Sequence, residues 1–198
     1  ADGLTAWDGR SERIPTRGHA ILFGRSIAAR LPDDLDPQLA LMVMDVCGAP
    51  ALVRRVVSTY AARGPAPRVL VLGGAGKSGS LALAAAADAD AGRRIAVVPH
   101  VGLSASVLAA GGPADVTVVC VDVPGCEQPA ILSTAQGGTV IFFSMATSFA
   151  AAALGAEGLA ADVTMLIGNG YVPGHADYAL SLLRADPDVR RLFESRLD

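Results

Sequence analysis

An apolar run that stops at a cluster of glycines constrains this chain more than any other stretch. It is VLVLGGAGKSG, from Val69 to Gly79. The run lacks polar alternation, so it reads as a strand covered on both faces. Gly74, Gly76 and Gly79 then follow in G-x-G-x-x-G spacing, and an alanine-rich segment behind them reads as a helix. Each glycine has its own task in such a turn. The first permits the tight bend, the second lets backbone approach a pyrophosphate, and the third lets the helix pack closely on the strand. The helix start adds free N–H groups and the positive end of its dipole. In this context the spacing predicts a Rossmann-type dinucleotide turn, with Ala75 inside the cradle. A glycine-rich turn kept only for packing is the alternative. Lys77 and Ser78 match a P-loop in residue type but not in spacing. Lys77 reads as a phosphate-steering or a solvated charge, and Ser78 as a helix cap or a phosphate contact.

From Arg68 onward the chain alternates strand and helix. RVLVLG, RRIAVVP, VTVVCVDVPG, GGTVIFFS and ADVTMLIGNG read as strands. KSGSLALAAAADADA, CEQPAILSTAQ and TSFAAAALGAEG read as helical, and two more helices close the chain after Pro173. Such alternation means α/β architecture, a Rossmann-like parallel sheet with helices on both faces. Before it, Asp36 as N-cap and Pro37 at the first helical position open a helix that Gly48 can end in a left-handed turn. A second helix runs from about Pro50 to residue 62, and RGPAP links it onward. GHAILFG reads as a short strand. The expected division is residues 1–66, a remnant plus a helical pair, and 67–198, the Rossmann-like domain.

Two features depart from a full dinucleotide half. An acid about 20 positions after the turn should bind the ribose hydroxyls, yet the second strand ends in Val98, Pro99 and His100. His100, or Arg93 and Arg94, could instead face a 2′-phosphate; solvated arginines are the alternative. Only VGLSASVLAAGGPAD then precedes the next buried strand, room for one short crossover helix but not for a further strand and its crossover. The sheet is therefore expected to be shortened after its second strand.

A net charge of −3 argues against general nucleic-acid or anionic-membrane binding. Aromatic residues at 5% are too sparse for a base-stacking platform. Three cysteines without CxxC spacing argue against a disulfide framework and for a reducing compartment, the cytoplasm. The three histidines lie far apart and show no zinc-ligand spacing, so no metal is expected. No signal peptide opens the chain, and no stretch reads as a membrane span. The chain begins at Ala1 without a methionine, so processing or a longer parent is expected.

In an open α/β sheet ligands collect at the carboxyl ends of strands. That rule selects Ser144, Met145 and Thr147 after one strand, with helix capping as the alternative for Ser144 and Thr147. It also selects Asn169, flanked by glycines, as a nicotinamide or substrate contact or else a plain turn residue. Tyr171 could cover that pocket or simply pack. Asp122 is the best internal carboxylate for catalysis. His175 near a helix start would be held neutral, suited to act as a base, or is a surface histidine. Asp45 near a helix end needs a partner, with Arg25, Arg54 or backbone as candidates. Cys120 reads as core. Cys126 at a helix start could have a lowered pKa. Trp7 reads as a packing or partner contact.

The blocks GGTVIFFSMATSFAAAALGAEGLAADVTMLIGNGYVPGHADYAL, VDVPGCEQPAIL, VLVLGGAGKSG, MDVCGAP and GHAILFGRSIAARLP resemble the L-erythro-3,5-diaminohexanoate dehydrogenases of lysine fermentation. The likeness covers nearly all the chain from His19 onward. It implies an NAD(P)-linked oxidative deamination: an amine-bearing carbon loses hydride to the nicotinamide, and the imine is hydrolysed to a ketone with release of ammonia. It also implies a fold similar to medium-chain dehydrogenases, with a GroES-like catalytic domain ahead of the Rossmann domain, and a dimer or larger assembly. VTMLIG could pair across a two-fold axis in such an assembly. Here only a stub precedes GHAILF, so the catalytic domain is expected from another chain or from a part of the protein outside this sequence. Two other readings stay open: a non-catalytic homologue that assembles with a partner enzyme, and a repurposed enzyme taking a smaller ligand at the strand ends.

Overall fold

The computed structural model describes residues 7–10, 14, 17–97, 111–167 and 170–197. It divides into two compact units, Ala1–Arg30 and Leu31–Asp198. Within the first, the described residues form no strand. GHAILFG instead leads into a turn in which Ser26 N–H donates to the Phe23 carbonyl at 2.9 Å. A strand needs a ladder partner, and none of the described strands pairs with this segment. Phe23 is left 79% exposed.

The second unit opens with α1 (Pro37–Asp45) and α2 (Gly48–Ala61). Asp36 caps α1 as its spacing predicts, accepting the N–H groups of Gln38 and Leu39. Gly48 does not make the left-handed stop. It is the first residue of α2, and the chain passes through Val46 and Cys47 into the next helix. Then come β1 (Arg68–Leu72), α3 (Lys77–Asp88), β2 (Arg93–Val97) and β3 (Ala114–Val119). α4 (Glu127–Leu132), β4 (Thr134–Phe142), α5 (Phe149–Leu154) and α6 (Ala156–Ala160) follow. β5 (Val163–Ile167), α7 (His175–Ala185) and α8 (Pro187–Glu194) complete it. TSFAAAALGAEG is thus two short helices, parted at Gly155.

The five strands form one parallel sheet in the order β2-β1-β3-β4-β5. This is a Rossmann order lacking the strand beyond β2, among the described residues. Side chains alternate across it. Val69, Val71, Val116 and Val118 face a core shared with α1, α2, α3, α7 and α8. Leu72, Val119, Val140 and Phe142 face Ala130 and Ile131 of α4 and Ala152 of α5. Both faces are covered, which is why β1 carries no polar alternation. The helical pair α1–α2 shares its core with α3 and the sheet, so the contacts part the chain at Arg30 and not at the RGPAP link.

The C-terminal helix is integral to this core, with Phe193 fully buried. Phe193→Ala should lower unfolding stability by about 3–5 kcal/mol, read from urea titrations by circular dichroism. A change below about 1 kcal/mol would show that α8 is not part of the cooperative unit.

Candidate functional site

The glycine turn joins β1 to α3 at the carboxyl edge of the sheet. Gly73 takes φ +81°, and its N–H donates to the Val97 carbonyl at 2.8 Å, tying the ends of β1 and β2. Gly76 N–H returns to the Gly73 carbonyl at 2.9 Å. A Cβ at residue 79 would lie 2.1 Å from the Gly73 oxygen, and one at residue 74 would lie 2.7 Å from Ala96 Cβ. Packing alone therefore demands Gly74 and Gly79. Gly76 differs: a Cβ there would meet only the Gly73 oxygen, at 3.1 Å. Its lack of a side chain keeps the turn open to an approaching ligand backbone or phosphate. Gly76 is also the N-cap of α3 and offers no capping side chain, so the first N–H groups of that helix are not satisfied by a cap. The residues present fit a dinucleotide's pyrophosphate.

Around the turn the structure corrects two expectations. The partner of Asp45 is Lys77, Nζ to Oδ2 at 3.1 Å, and not Arg25, Arg54 or backbone. The cation that an acid at the end of α1 called for comes from the start of α3. Arg54 pairs with Asp88 at 3.3 Å and lies over the Tyr178 ring at 4.6 Å. Burial and the Asp88 carboxylate it donates to push the Tyr178 hydroxyl's pKa well up. Lys77 is therefore held toward α1 rather than left to solvent. Ala75 is exposed, and its carbonyl accepts a bond from Arg196 Nη2 at 2.8 Å. Ser78 lies half-buried in the first turn of α3.

Arg93 and Arg94 do not stand where a 2′-phosphate would lie. Arg93 pairs in register with Arg68, the first residue of β1, whereas the glycine turn follows Leu72 at the other end. Four residues of strand separate the two ends, roughly 13 Å. His100 and Asn169 lie outside the described residues.

Two loops meet beside the turn, after β3 and after β4. Asp122 Oδ1 accepts Ala146 N–H at 2.9 Å and the Ser144 hydroxyl at 3.3 Å. Glu127, only 3% exposed, accepts Ser148 N–H through Oε1 at 2.6 Å. Two carboxylates, one on the loop after β3 and one at the start of α4, thus hold the loop after β4, on which Met145 is 97% exposed. Asp122 acts here as a brace of the Ser144–Ser148 loop. The helix cap of α5 is Ser148, which accepts Ala151 N–H, and not Ser144 or Thr147. Glu127 escaped sequence reasoning because an acid in the first turn of a helix reads as an ordinary dipole partner. Only its burial marks it.

His175 begins α7, with its ring edge-on to Tyr171 at 5.0 Å and 77°. The two aromatics pack on each other. Cys126 departs from the expectation of a lowered pKa: burial and the neighbouring Glu127 charge push its thiol up. Its helix has six residues, and Cys126 makes no capping bond. Burial pushes the Cys120 thiol up to about 12, as suits a core residue. All three cysteines are free. Among the described residues no three His, Cys, Asp or Glu side chains are placed to hold a metal, and no helix is long and apolar enough to cross a membrane. Trp7 lies in the first unit, exposed.

No protein-family model matches the chain. Two curated proteins do. L-erythro-3,5-diaminohexanoate dehydrogenase of Acetoanaerobium sticklandii is 39% identical over 211 residues, covering 92% of this chain and 60% of that protein. The enzyme of the same name from Fusobacterium nucleatum is 37% identical over 210 residues, covering 92% and 59%. The chain thus spans about three-fifths of the length of the curated relatives it matches. Among solved structures, L-idonate 5-dehydrogenase of Escherichia coli aligns with TM-score 0.56 at 14% identity, over 78% of this chain and 48% of that one. 2R,3R-butanediol dehydrogenase of Bacillus subtilis aligns with TM-score 0.51 at 20% identity, over 83% and 55%. At these identities the structural likenesses speak for the fold.

The brace has a measurable consequence. Glu127→Ala removes the acceptor of Ser148 N–H and should cost about 1–3 kcal/mol, with faster amide exchange at Ser148. Glu127→Gln keeps an acceptor oxygen and should cost less. Equal losses from the two variants would deny the bond its part.

Proposed function

Because the chain belongs to the L-erythro-3,5-diaminohexanoate dehydrogenase family, we propose that it is the nucleotide-binding part of an NAD(P)-dependent oxidoreductase that deaminates an amino-acid-derived amine. The single observation that carries this reading is Gly76. Packing requires glycine at 74 and 79 but far less at 76, where an open cradle serves a bound phosphate. The bound nicotinamide would accept hydride from the amine-bearing carbon. The chain's own part is to seat the pyrophosphate on the start of α3 and to present the loops at the strand ends to the nicotinamide. Ala75, Lys77 and Ser78 border the phosphates. Ser144 and Met145 stand on the braced loop, and Asn169 and His175 follow the last strand. Asp122 and His175 are the candidates for proton handling; Asp122 would do so while holding the Ser144–Ser148 loop.

The substrate-handling domain would come from the rest of a longer polypeptide or from a partner chain, since the relatives extend well beyond the shared stretch. β5 is the edge of the sheet, and Leu154, Leu159 and Ile167 are exposed in the β4–β5 flank. Pairing of β5 with its copy in a homodimer would cover that edge. A place in lysine breakdown and a cytoplasmic setting follow from the same reading.

Calorimetric titration with NADH and NADPH tests it. Micromolar binding of at least one nucleotide is expected. Gly76→Val should weaken that binding at least tenfold while the variant stays folded, whereas Gly79→Val should unfold or strongly destabilise the chain. Failure of both nucleotides to bind at millimolar concentration would overturn the proposal. Light scattering tests the assembly: a monomer would count against β5 pairing.

A further inference from the structure

We infer that Met145 is a site of reversible oxidation, and that one oxygen atom added to its sulfur weakens nucleotide binding at the strand ends. The inference rests on the nucleotide site proposed above and names a chemistry that regulates it.

Met145 lies in a turn that directly follows β4. Thr147 N–H donates to the Ser144 carbonyl at 3.3 Å and closes that turn. The backbone around it is tied down as well. Asp122 accepts Ala146 N–H and the Ser144 hydroxyl, and Glu127 accepts Ser148 N–H. These bonds hold the turn without help from the Met145 side chain, which is almost fully exposed. The turn also stands where a bound nucleotide would pass. β4 is two strands from β1 in the sheet, a separation of about 10 Å. In a dinucleotide fold the pyrophosphate seats on the helix after the first strand, and the adenosine half lies over the second strand. The nicotinamide half then extends the other way, over the ends of β3 and β4.

The other sulfur atoms of the chain are protected. Met42 and Met44 are half-buried against the core under the helical pair, and Met165 against the core on the other face of the sheet. Burial holds the thiols of Cys47, Cys120 and Cys126 above the ordinary cysteine pKa. They stay protonated at neutral pH, and the thiolate is the form that peroxide attacks. A thioether needs no deprotonation. Its sulfur lone pair attacks one oxygen of hydrogen peroxide. The O–O bond breaks, an S–O bond forms, and water leaves with both hydrogens. The sulfur is oxidised and the peroxide reduced by the same electron pair. The product is methionine sulfoxide, polar where the thioether was apolar, and methionine sulfoxide reductase reverses the change. A polarisable thioether suits contact with an aromatic ring such as nicotinamide. The sulfoxide gives up that contact and carries water that a bound ring would have to displace. Because Asp122 and Glu127 hold the turn, its backbone cannot carry the altered side chain away from the site.

The test treats the chain with hydrogen peroxide, maps the oxidised peptides by mass spectrometry, and titrates NADH and NADPH by calorimetry before and after. Met145 should gain an oxygen atom ahead of Met42, Met44, Met165 and the three cysteines. Affinity for the nucleotide that binds should then fall about threefold or more. Methionine sulfoxide reductase with a thiol reductant should restore it. Met145→Leu keeps an apolar side chain without the sulfur, so the affinity of that variant should not change on the same treatment. Oxidation of another sulfur ahead of Met145 would overturn the inference, as would an unchanged affinity once Met145 is oxidised. An equal loss in peroxide-treated Met145→Leu would overturn it too, because the effect would then arise elsewhere. Failure of the untreated chain to bind either nucleotide at millimolar concentration is a different result: it would overturn the nucleotide site itself, and the inference with it.

Discussion

The carbonyl oxygen of Gly73 lies where a side chain on residue 79 would have to go, and the rest of the fold depends on that approach. A Cβ there would come within 2.1 Å of the oxygen. With hydrogen alone at residue 79, α3 can start directly against the end of β1. Leu81, Ala82, Ala85 and Ala86 then seat fully on the sheet. The alanines serve the same end, because small side chains let a helix ride close to a strand and to α2. The one contact therefore sets the height of α3 above the sheet and aims its first N–H groups at the carboxyl edge. That edge is where the loops after β3 and β4 also arrive. Fold and candidate site share a cause, and this is why packing alone accounts for two of the three motif glycines.

How much of this was legible in the sequence varied with the range of the interaction. β1 and α3 were readable because their signals are local: an unbroken apolar run, a glycine spacing, then alanines. Asp36 and Pro37 marked the start of α1 for the same reason. The five-stranded order among the described residues agrees with a count of the residues between two strands. GHAILFG misled because apolar alternation predicts a strand only if a partner strand is available, and pairing is not a local property. Gly48 misled because a glycine after a helix suits a left-handed stop, but here the next helix begins at once. A Cβ at Gly170 would lie 2.2 Å from the Gly48 carbonyl. The crowding at that junction is set from more than a hundred residues away.

The site was less legible because its organising contacts are long-range polar ones. Lys77 finds Asp45, Arg196 finds Ala75, and the loop after β3 supplies acids to the loop after β4. None of these pairs has a spacing that a single sequence could reveal. Asp122 shows the effect clearly. The strand-end rule selected it as a carboxylate facing the cleft, and it does stand at the loop junction. There its first measurable task is to hold Ala146 N–H and the Ser144 hydroxyl.

The order of the described strands bears on where the C-terminal helix packs as well as on the sheet itself. In a longer Rossmann sheet, the second strand has neighbours on both sides, and an acid at its end meets the ribose. In this chain β2 is the edge strand among the described residues, and α8 lies beside it, packed on α3. Val189 and Phe193 anchor that helix in the core. Just beyond it, Arg196 bonds the Ala75 carbonyl of the glycine turn. The C-terminal helix thus brings an arginine to the glycine turn, where Arg196 donates to the Ala75 carbonyl. A cation fixed by a buried helix is a more constant feature than one on a mobile loop, because α8 cannot shift without exposing Phe193. The stability of the C-terminal helix and the placement of Arg196 at the glycine turn are in this way properties of one element.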